Sequence, residues 1–316
     1  MATQPQVESD MQQHEVLPEP ATGSQLTAPN LSVEVNGGTF VYRRYGNTKR
    51  DTPPLLCLQH FRGNLDQWDP ASCDRIAQDR EILLLANRDV GRSTGQVPDT
   101  VAAMARDTIA FVSALGLKSV DLLGYSLGGY IAQEMALLQP RLVRRIVLAA
   151  TAPRGGPRIH GWSDKVYSLA AADVPGMAHF LGVFFSGSEE SRAKGMAYLG
   201  RISARKAEPD QQTDLATRDA QLAAITEWGI PDESRLNRLA AITQPTFVAN
   251  GDNDEMMQTA NSALLAEKLP NSQLRIDPDA NHGFLYSIPG AVRRPCPNVP
   301  ERRGTARHWG HVIIRY

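Results

Sequence analysis

One serine of the chain has neighbours that suit nucleophilic chemistry. Ser126 is the middle residue of Gly124-Tyr-Ser-Leu-Gly128, with a short apolar run before it and a helix-forming run after it. When a strand and a helix flank Gly-x-Ser-x-Gly, the turn between them exposes the serine hydroxyl at the edge of a sheet. The glycines suit such a turn because they carry no Cβ that would collide with the adjacent strand or helix. The pattern therefore predicts that Ser126 is a nucleophile.

A serine hydroxyl reacts poorly near neutral pH unless a base takes its proton and an acid orients that base. The chain has Asp254 and His282 downstream of Ser126, each just after a predicted strand. The carboxyl ends of parallel strands meet at one edge of a sheet, so we expect the three side chains to converge there. Asp252 competes with Asp254 for the role of acid; its alternative role is that of a turn residue bonded to local backbone.

Three further histidines compete with His282 for the role of base. His60 follows a predicted strand, and we expect it to be structural, with its ring bonded to neighbouring backbone. His160 and His179 lie in a predicted helical region, where the sequence indicates no partner for either ring. His282 is therefore the favoured base.

Backbone N–H groups near Ser126 are the expected donors to an oxyanion. The helix that follows the serine directs its free N–H groups and its positive dipole end at this position, which makes the Leu127 N–H the first predicted donor. A second donor is expected from the loop that follows the predicted strand ending at residue 59. That loop contains His60-Phe-Arg-Gly63, so the second donor is the N–H of either Phe61 or Arg62.

The elements that would position these residues alternate between strands and helices. Apolar strand-type runs lie at residues 54–59, 81–86, 119–123, 143–149, 244–250 and 272–276. Helical spacing is found at residues 100–115, 130–138 and 259–269. The Asn36-Gly37 turn between two alternating runs, 31–35 and 39–45, predicts an N-terminal β-hairpin. Alternation of buried strands with helices predicts an α/β protein with a mostly parallel sheet and right-handed crossovers.

Composition along the chain predicts four kinds of segment. Residues 1–29 are polar and aperiodic and are expected to be disordered. Residues 30–152 and 240–286 form the α/β core, and residues 153–239 form a helical cap, whose aromatic side chains pack together or line an apolar pocket. Residues 287–316 are an irregular tail, because four prolines forbid a continuous helix. Without such a helix, we expect bare apolar surface and a poorly held His282 loop.

The overall composition excludes several classes of function. A formal net charge of −1 argues against nucleic acid or an anionic membrane surface as a partner. The sequence contains no apolar run of about 18 residues, as a spanning helix would need. The acidic N-terminal region is unlike a secretory signal. The three cysteines are widely spaced, which suits a reducing compartment and does not suit a zinc site. We therefore expect a cytoplasmic protein. The motifs imply no cofactor and no metal, and the oligomeric state is left unknown.

The motifs Gly-Tyr-Ser126-Leu-Gly, Gly-Asp-Asn-Asp254 and Asn-His282-Gly-Phe together resemble those of the α/β-hydrolase superfamily, in its esterase and haloperoxidase-like branch. The similarity extends from about residue 31 to residue 284. It implies the α/β-hydrolase fold, a mostly parallel sheet flanked by helices, with an α-helical cap inserted between two strands. The family spacing Gly-x-x-Asp favours Asp254 over Asp252 as the acid.

Three features of the chain depart from the family pattern. The family usually has His-Gly-x where this chain has His60-Phe-Arg; an aromatic residue is common at the donor position in related enzymes, which favours Phe61 over Arg62. Asp89 stands where related sequences have a glycine, so it must tolerate a positive φ if the loop requires one. The tail after Phe284 replaces the helix with which the family continues.

The resemblance and the residues together predict a serine hydrolase. Its substrate would be a small molecule with an apolar acyl or ring portion and an ester, lactone or related activated carbonyl, cleaved through an acyl-enzyme on Ser126. Perhydrolysis, acyl transfer and carbon–carbon hydrolysis use the same machinery and stay open. Epoxide hydrolases and dehalogenases are disfavoured, because their nucleophile is a carboxylate. The alternative is a non-catalytic or impaired relative that binds a small molecule; the unusual tail favours it and the complete serine, aspartate and histidine set opposes it.

Overall fold

The computed structural model describes residues 23–49 and 52–287. Its strands are β1 (Leu31–Val35), β2 (Gly38–Gly46), β3 (Leu55–Leu58), β4 (Glu81–Leu85), β5 (Val120–Tyr125), β6 (Val143–Ala149), β7 (Thr246–Gly251) and β8 (Ser272–Asp277). Its α-helices are α1 (Pro70–Asp79), α2 (Val101–Ala114), α3 (Leu127–Leu138), α4 (Asp164–Ala170), α5 (Met177–Phe184), α6 (Glu189–Ile202), α7 (Leu215–Trp228), α8 (Glu233–Asn237) and α9 (Thr259–Lys268).

The strands form one eight-stranded sheet in the order β1-β2-β4-β3-β5-β6-β7-β8. The hairpin strands β1 and β2 are antiparallel, β2 also joins β4 antiparallel, and every pairing from β4 to β8 is parallel. This confirms the predicted hairpin and the predicted α/β fold class. Because the parallel strands point the same way, the loops that follow β3, β5, β7 and β8 all lie at one edge of the sheet.

The central strands are apolar along their whole length because both of their faces are buried. Alternate residues of β3 show this directly: Leu56 and Leu58 belong to the core on one face, and Leu55 and Cys57 to the core on the other. All four side chains are at most 1% exposed. A strand with one solvent face would instead show polar residues at every second position.

Two predictions about the core need correction. No helix was predicted between residues 59 and 81, but α1 occupies Pro70–Asp79, with Asp69 as its N-cap. The second concerns the predicted disordered segment 1–29. Its residues 23–29 are ordered: Gln25 is fully buried, and the Arg205 guanidinium donates to the carbonyl oxygens of Leu26 and Ala28. Residues 1–22, and the tail from residue 288 onward, lie outside the described residues.

Residues 153–239, which we call the helical insertion, contain α4 to α8 and no strand. It joins β6 to β7 and contacts the core at several loops. One contact involves Asp89, which has the positive φ of 58° that its loop requires. The Thr217 hydroxyl of the insertion donates to the Asp89 carboxylate at 2.9 Å. Within the described residues, no helix is both long and apolar enough to cross a bilayer.

Candidate active site

The turn at Ser126 consists of a single residue. β5 ends at Tyr125 and α3 begins at Leu127, so both elements come closer to the serine than the sequence predicted. Ser126 therefore takes a strained conformation, with φ 55° and ψ −117°. Backbone bonds hold it there: its N–H donates to Ala149 O at 2.9 Å, and its carbonyl accepts from the Gly129 N–H at 2.8 Å.

The glycines around Ser126 are there because the backbone is crowded. A Cβ added at Gly124 would lie 2.5 Å from the carbonyl oxygen of Gly128, and one added at Gly128 would overlap the carbonyl oxygen of Leu58. Real Cβ atoms do not approach backbone this closely, so a larger residue would force the elements apart. The steric reason inferred from the sequence is present in the structure.

His282 and Asp254 form a buried pair after β8 and β7. The distance from His282 Nδ1 to Asp254 Oδ2 is 2.8 Å, and the two residues are 1% and 4% exposed. The other carboxylate oxygen, Oδ1, accepts the N–H groups of Met256 and Met257, each at 2.9 Å. Since a carboxylate accepts from Nδ1, the proton of the neutral imidazole is on Nδ1 and the lone pair is on Nε2. Nε2 is the basic atom.

Ser126 Oγ and His282 Nε2 are both buried, and neither has a hydrogen-bond partner among the described residues. The structure thus brings His282 and Asp254 into a hydrogen bond, but it shows none between Ser126 and His282. Tyr125, the residue before the serine, connects the two regions. Its ring stacks on the His282 ring with centroids 5.5 Å apart, and its hydroxyl donates to the His282 carbonyl at 2.9 Å. In enzymes without bound substrate, the bond from nucleophile to base is often long.

The rival acid and two rival bases are exposed or bonded elsewhere. Asp252 is exposed, and its Oδ1 accepts from the Ala280 N–H at 3.2 Å, so the backbone that it bonds belongs to the loop after β8 rather than to its own turn. His160 is exposed. His179 Nδ1 accepts the N–H of Gly176 at 3.0 Å, at the start of α5, so the expectation that this ring lacks a partner is wrong.

His60 is buried and neutral. Its Nδ1–H donates to the carbonyl of Phe61 at 2.8 Å, which agrees with the expected bond to neighbouring backbone. Burial, with a smaller contribution from the nearby His282, lowers the pKa of His60 to about 3 against the opposite effect of this bond. The ring packs edge-on against Tyr125, with centroids 5.2 Å apart. Its Nε2 also has no hydrogen-bond partner among the described residues, but a ring that burial keeps neutral throughout the physiological range is a poor proton acceptor.

The candidate oxyanion donors differ in whether they are already used. The N–H of Arg62 donates to Gln221 Oε1 at 2.7 Å. The N–H groups of Phe61 and Leu127 have no hydrogen-bond partner among the described residues. Of the alternatives left open by the sequence, Phe61 is therefore the one with a free donor.

Several contributors to the site were missed by sequence reasoning. Tyr125 anchors the His282 carbonyl, and the Thr151 hydroxyl donates to Ser126 O at 2.7 Å. The expectation of a poorly held His282 loop is wrong within the described residues. The Gly283 N–H donates to Phe184 O at 2.8 Å, so the end of α5 holds this loop. These bonds join residues far apart in the chain, and only Tyr125 carried a signal, its place within the serine motif.

A cavity of about 90 Å³ lies between the helical insertion and the edge of the sheet. Phe180, Val183 and Phe184 of α5 line it, and so do Phe61 and His282. The aromatic residues that the sequence suggested for an apolar pocket are thus partly there, whereas Tyr198 and Trp228 are buried in the core. Among the described residues, no group of three or more His, Cys, Asp or Glu side chains could hold a metal ion.

Comparison with known proteins identifies the family to which this fold belongs. The alpha/beta hydrolase fold family model matches residues 53–287. An alpha/beta hydrolase fold protein of known structure from Chitinophaga pinensis is 41% identical, with a TM-score of 0.78, and the match covers 84% of this chain and 95% of that one. A relative named as the carbamate hydrolase RutD, from Agrobacterium fabrum, is 27% identical over 241 residues, 73% of this chain and 86% of that protein.

A poly(3-hydroxyalkanoate) depolymerase from Ectopseudomonas oleovorans is 28% identical over 247 residues, 76% of this chain and 81% of that protein. The family model covers the sheet from β3 to β8, the helical insertion and all three residues of the predicted serine, aspartate and histidine set. The chain therefore belongs to the alpha/beta hydrolase fold family.

Proposed function

We propose that this protein is a serine hydrolase that cleaves a carboxylic ester, a lactone or a related activated carbonyl through an acyl-enzyme on Ser126. The observation that carries the proposal is the 2.8 Å bond between His282 Nδ1 and Asp254 Oδ2, which leaves the buried Nε2 without a partner. This is the arrangement that a general base needs, and an equally buried and unpartnered serine hydroxyl follows Tyr125, whose ring stacks on His282.

The proposed chemistry begins when Ser126 Oγ attacks the substrate carbonyl and its proton passes to His282 Nε2. Asp254 keeps the ring in the required tautomer and stabilises the imidazolium. The negative charge on the carbonyl oxygen is stabilised by the free N–H groups of Leu127 and Phe61. His282 then protonates the leaving alcohol, and a water molecule hydrolyses the acyl-enzyme with the same base.

The named relatives support hydrolysis at a carbonyl carbon in general. One is named for a carbamate and another for a polyester, so the carbonyl chemistry is common while the substrates differ. In our proposal residues 153–239 act as a cap, because α5 lines the cavity and bonds to the His282 loop. Its aromatic side chains would bind the apolar acyl or ring portion of a small substrate.

The second candidate is a non-catalytic family member that binds a small molecule. The missing hydrogen bond between Ser126 and His282 favours it. Turnover of p-nitrophenyl esters of graded acyl length separates the two. We expect the wild type to hydrolyse at least one of them and Ser126→Ala to lose about 10⁴-fold or more of kcat/KM.

The matched control is Ser262→Ala in α9, another buried serine whose hydroxyl has no partner among the described residues. It should keep wild-type turnover. Equal rates in the wild type and in Ser126→Ala, with both proteins folded by circular dichroism, would overturn the proposal.

A further inference from the structure

We propose that Arg62 binds a carboxylate of the substrate, so that the preferred substrates carry an acid group in addition to the carbonyl that is cleaved. This inference rests on the proposed function, because Arg62 lines the same cavity as His282 and Phe61. It adds a charge requirement to an otherwise general carbonyl hydrolase.

The backbone of Arg62 is fixed from both sides. Its φ is 61°, in the left-handed region, and its N–H donates to Gln221 Oε1 at 2.7 Å. Its carbonyl accepts from the Thr213 hydroxyl at 2.7 Å. Gln221 and Thr213 belong to the helical insertion, so the insertion holds this loop residue in a conformation that costs energy in any residue other than glycine.

The guanidinium group is also held in place, but not by a counter-charge. Nη1 donates to the carbonyl of Ala172 at 2.6 Å, and Nη2 donates to the carbonyl of Asp173 at 3.4 Å. The Asp173 carboxylate pairs instead with Arg218. Within residues 23–49 and 52–287 Arg62 forms no direct ion pair, although the carboxylates of Asp173 and Asp219, both paired with Arg218, lie close enough to act on its charge.

Three of the five N–H groups of the guanidinium are left over, the one on Nε and one on each Nη. Nε is shielded from solvent and has no hydrogen-bond partner among the described residues. Burial lowers the pKa of Arg62 and Arg218 nearby lowers it further, whereas Asp173 and Asp219 act in the opposite direction. The side chain is half-buried, and its shielded Nε–H has lost hydration that no group among the described residues replaces. A carboxylate is the group that a guanidinium binds best, because two N–H groups can meet two oxygens.

The cavity is lined by both kinds of side chain that such a substrate needs. Its apolar lining includes Leu169, Phe180, Val183 and Phe184. Its polar lining includes, besides Arg62, the side chains Asn64, Gln67, Gln212 and Thr213. A substrate with an apolar chain and a terminal carboxylate matches this mixed lining, whereas a neutral fatty ester would offer Arg62 no counter-charge.

The test compares matched anionic and neutral esters in two arms, one with the carboxylate on the acyl group and one with the carboxylate on the alcohol. The acyl arm uses the p-nitrophenyl half-ester of glutaric acid and p-nitrophenyl hexanoate. The alcohol arm uses 4-carboxyphenyl butyrate and 4-methylphenyl butyrate. In one arm, Arg62→Gln should lower the ratio of kcat/KM for the anionic over the neutral ester by about 10- to 100-fold. Arg62→Lys, which keeps the positive charge but not the planar set of N–H groups, should restore part of that ratio.

Binding is measured separately, so that the result does not depend on turnover. Calorimetry measures the binding of monomethyl glutarate and of 4-hydroxybenzoate to Ser126→Ala and to the double variant Ser126→Ala/Arg62→Gln. At least one of the two ligands should bind the double variant about 10-fold more weakly or worse. An unchanged kcat/KM ratio in both arms together with equal binding would overturn the inference while leaving the hydrolase intact. Weaker binding without any wild-type turnover would instead support Arg62 and contradict the proposed function.

Discussion

Buried polar groups are hydrogen-bonded at one end of strand β5 and lack partners among the described residues at the other. Near its first residue, Asp121 is fully buried and accepts from Arg80 Nη2 at 2.7 Å and from Arg144 Nε and Nη2 at 2.8 and 2.6 Å. Directly after its last residue, Ser126 Oγ is equally buried and has no partner among the described residues, and neither has His282 Nε2.

The contrast separates groups that stabilise the fold from groups available for chemistry. Buried polar atoms are nearly always paired in folded proteins, so unpaired ones need a reason. Backbone strain at Ser126 lies at the same end of the strand, whereas Val120–Tyr125 itself is regular apart from a register shift at its start. A rigid sheet that presents a reactive edge needs both features. Paired charges stabilise one end of the strand, and strained, unpaired groups are available for chemistry at the other.

The largest effect should follow from disturbing the reactive end at Asp254. Asp254→Asn replaces the acceptor of the Nδ1 proton by an amide that also supports the wrong tautomer. We expect kcat/KM for an accepted ester to fall by about 10³- to 10⁴-fold with little change in melting temperature. Steady-state kinetics and a thermal melt on the same sample measure both quantities.

Asp252→Asn is the matched control for this change, two residues away in the same loop. It removes a carboxylate that is exposed and bonded to the Ala280 N–H, so turnover should stay within about 3-fold of wild type. A larger loss in Asp252→Asn than in Asp254→Asn would exchange the roles of the two residues.

Disturbing the paired end should cost stability and spare the chemistry. Asp121→Asn leaves two arginines without their shared carboxylate, and Arg80 is buried. Breaking a buried ion pair from one side costs about 3–5 kcal/mol of the free energy of unfolding. Urea denaturation should show this loss, and kcat of the folded fraction should be unchanged. If Asp121→Asn lowers kcat but not stability, the distinction between the two ends fails.

A smaller effect concerns His60, the neutral histidine of the cavity wall. The pKa of folded His60 is lowered to about 3, so below about pH 6.5 the unfolded chain binds a proton that the folded protein does not. Stability from this group is fully present above that pH and falls by about 1.4 kcal/mol per unit as the pH drops toward 3. Urea denaturation between pH 7.5 and 5 measures the slope.

In His60→Asn the acid-side slope should become shallower, because the variant has no such proton to take up. His160→Asn removes an exposed histidine and should keep the wild-type slope. Identical slopes in wild type and His60→Asn would show that His60 is not held neutral by burial.

Local pattern was enough to predict the sheet and the serine turn. Continuous apolar runs mark strands that are buried on both faces, and Gly124 and Gly128 are required by crowding within a few residues of the serine. The helix α1 also had a local signal that was overlooked, an Asp69 N-cap followed by proline at the first helical position. These features were predictable because their causes lie close together in sequence.

What could not be predicted depends on contacts between distant residues. The hydrogen bond from the Arg62 N–H to Gln221 joins residues 159 positions apart. This bond leaves the Phe61 N–H as the free donor. The bond from the Tyr125 hydroxyl to His282 O spans 157 positions. The ordering of residues 23–29 depends on Arg205 in the helical insertion. No local spacing rule contains such information, because the fold itself creates these pairs.

Mass spectrometry of the adduct with a fluorophosphonate probe shows whether Ser126 is the nucleophile that His282 activates. We expect a single adduct on the peptide that contains Ser126, formed slowly in Asp254→Asn and absent in Ser126→Ala. A folded wild-type protein that stays unlabelled, or one that is labelled at another serine, would contradict it.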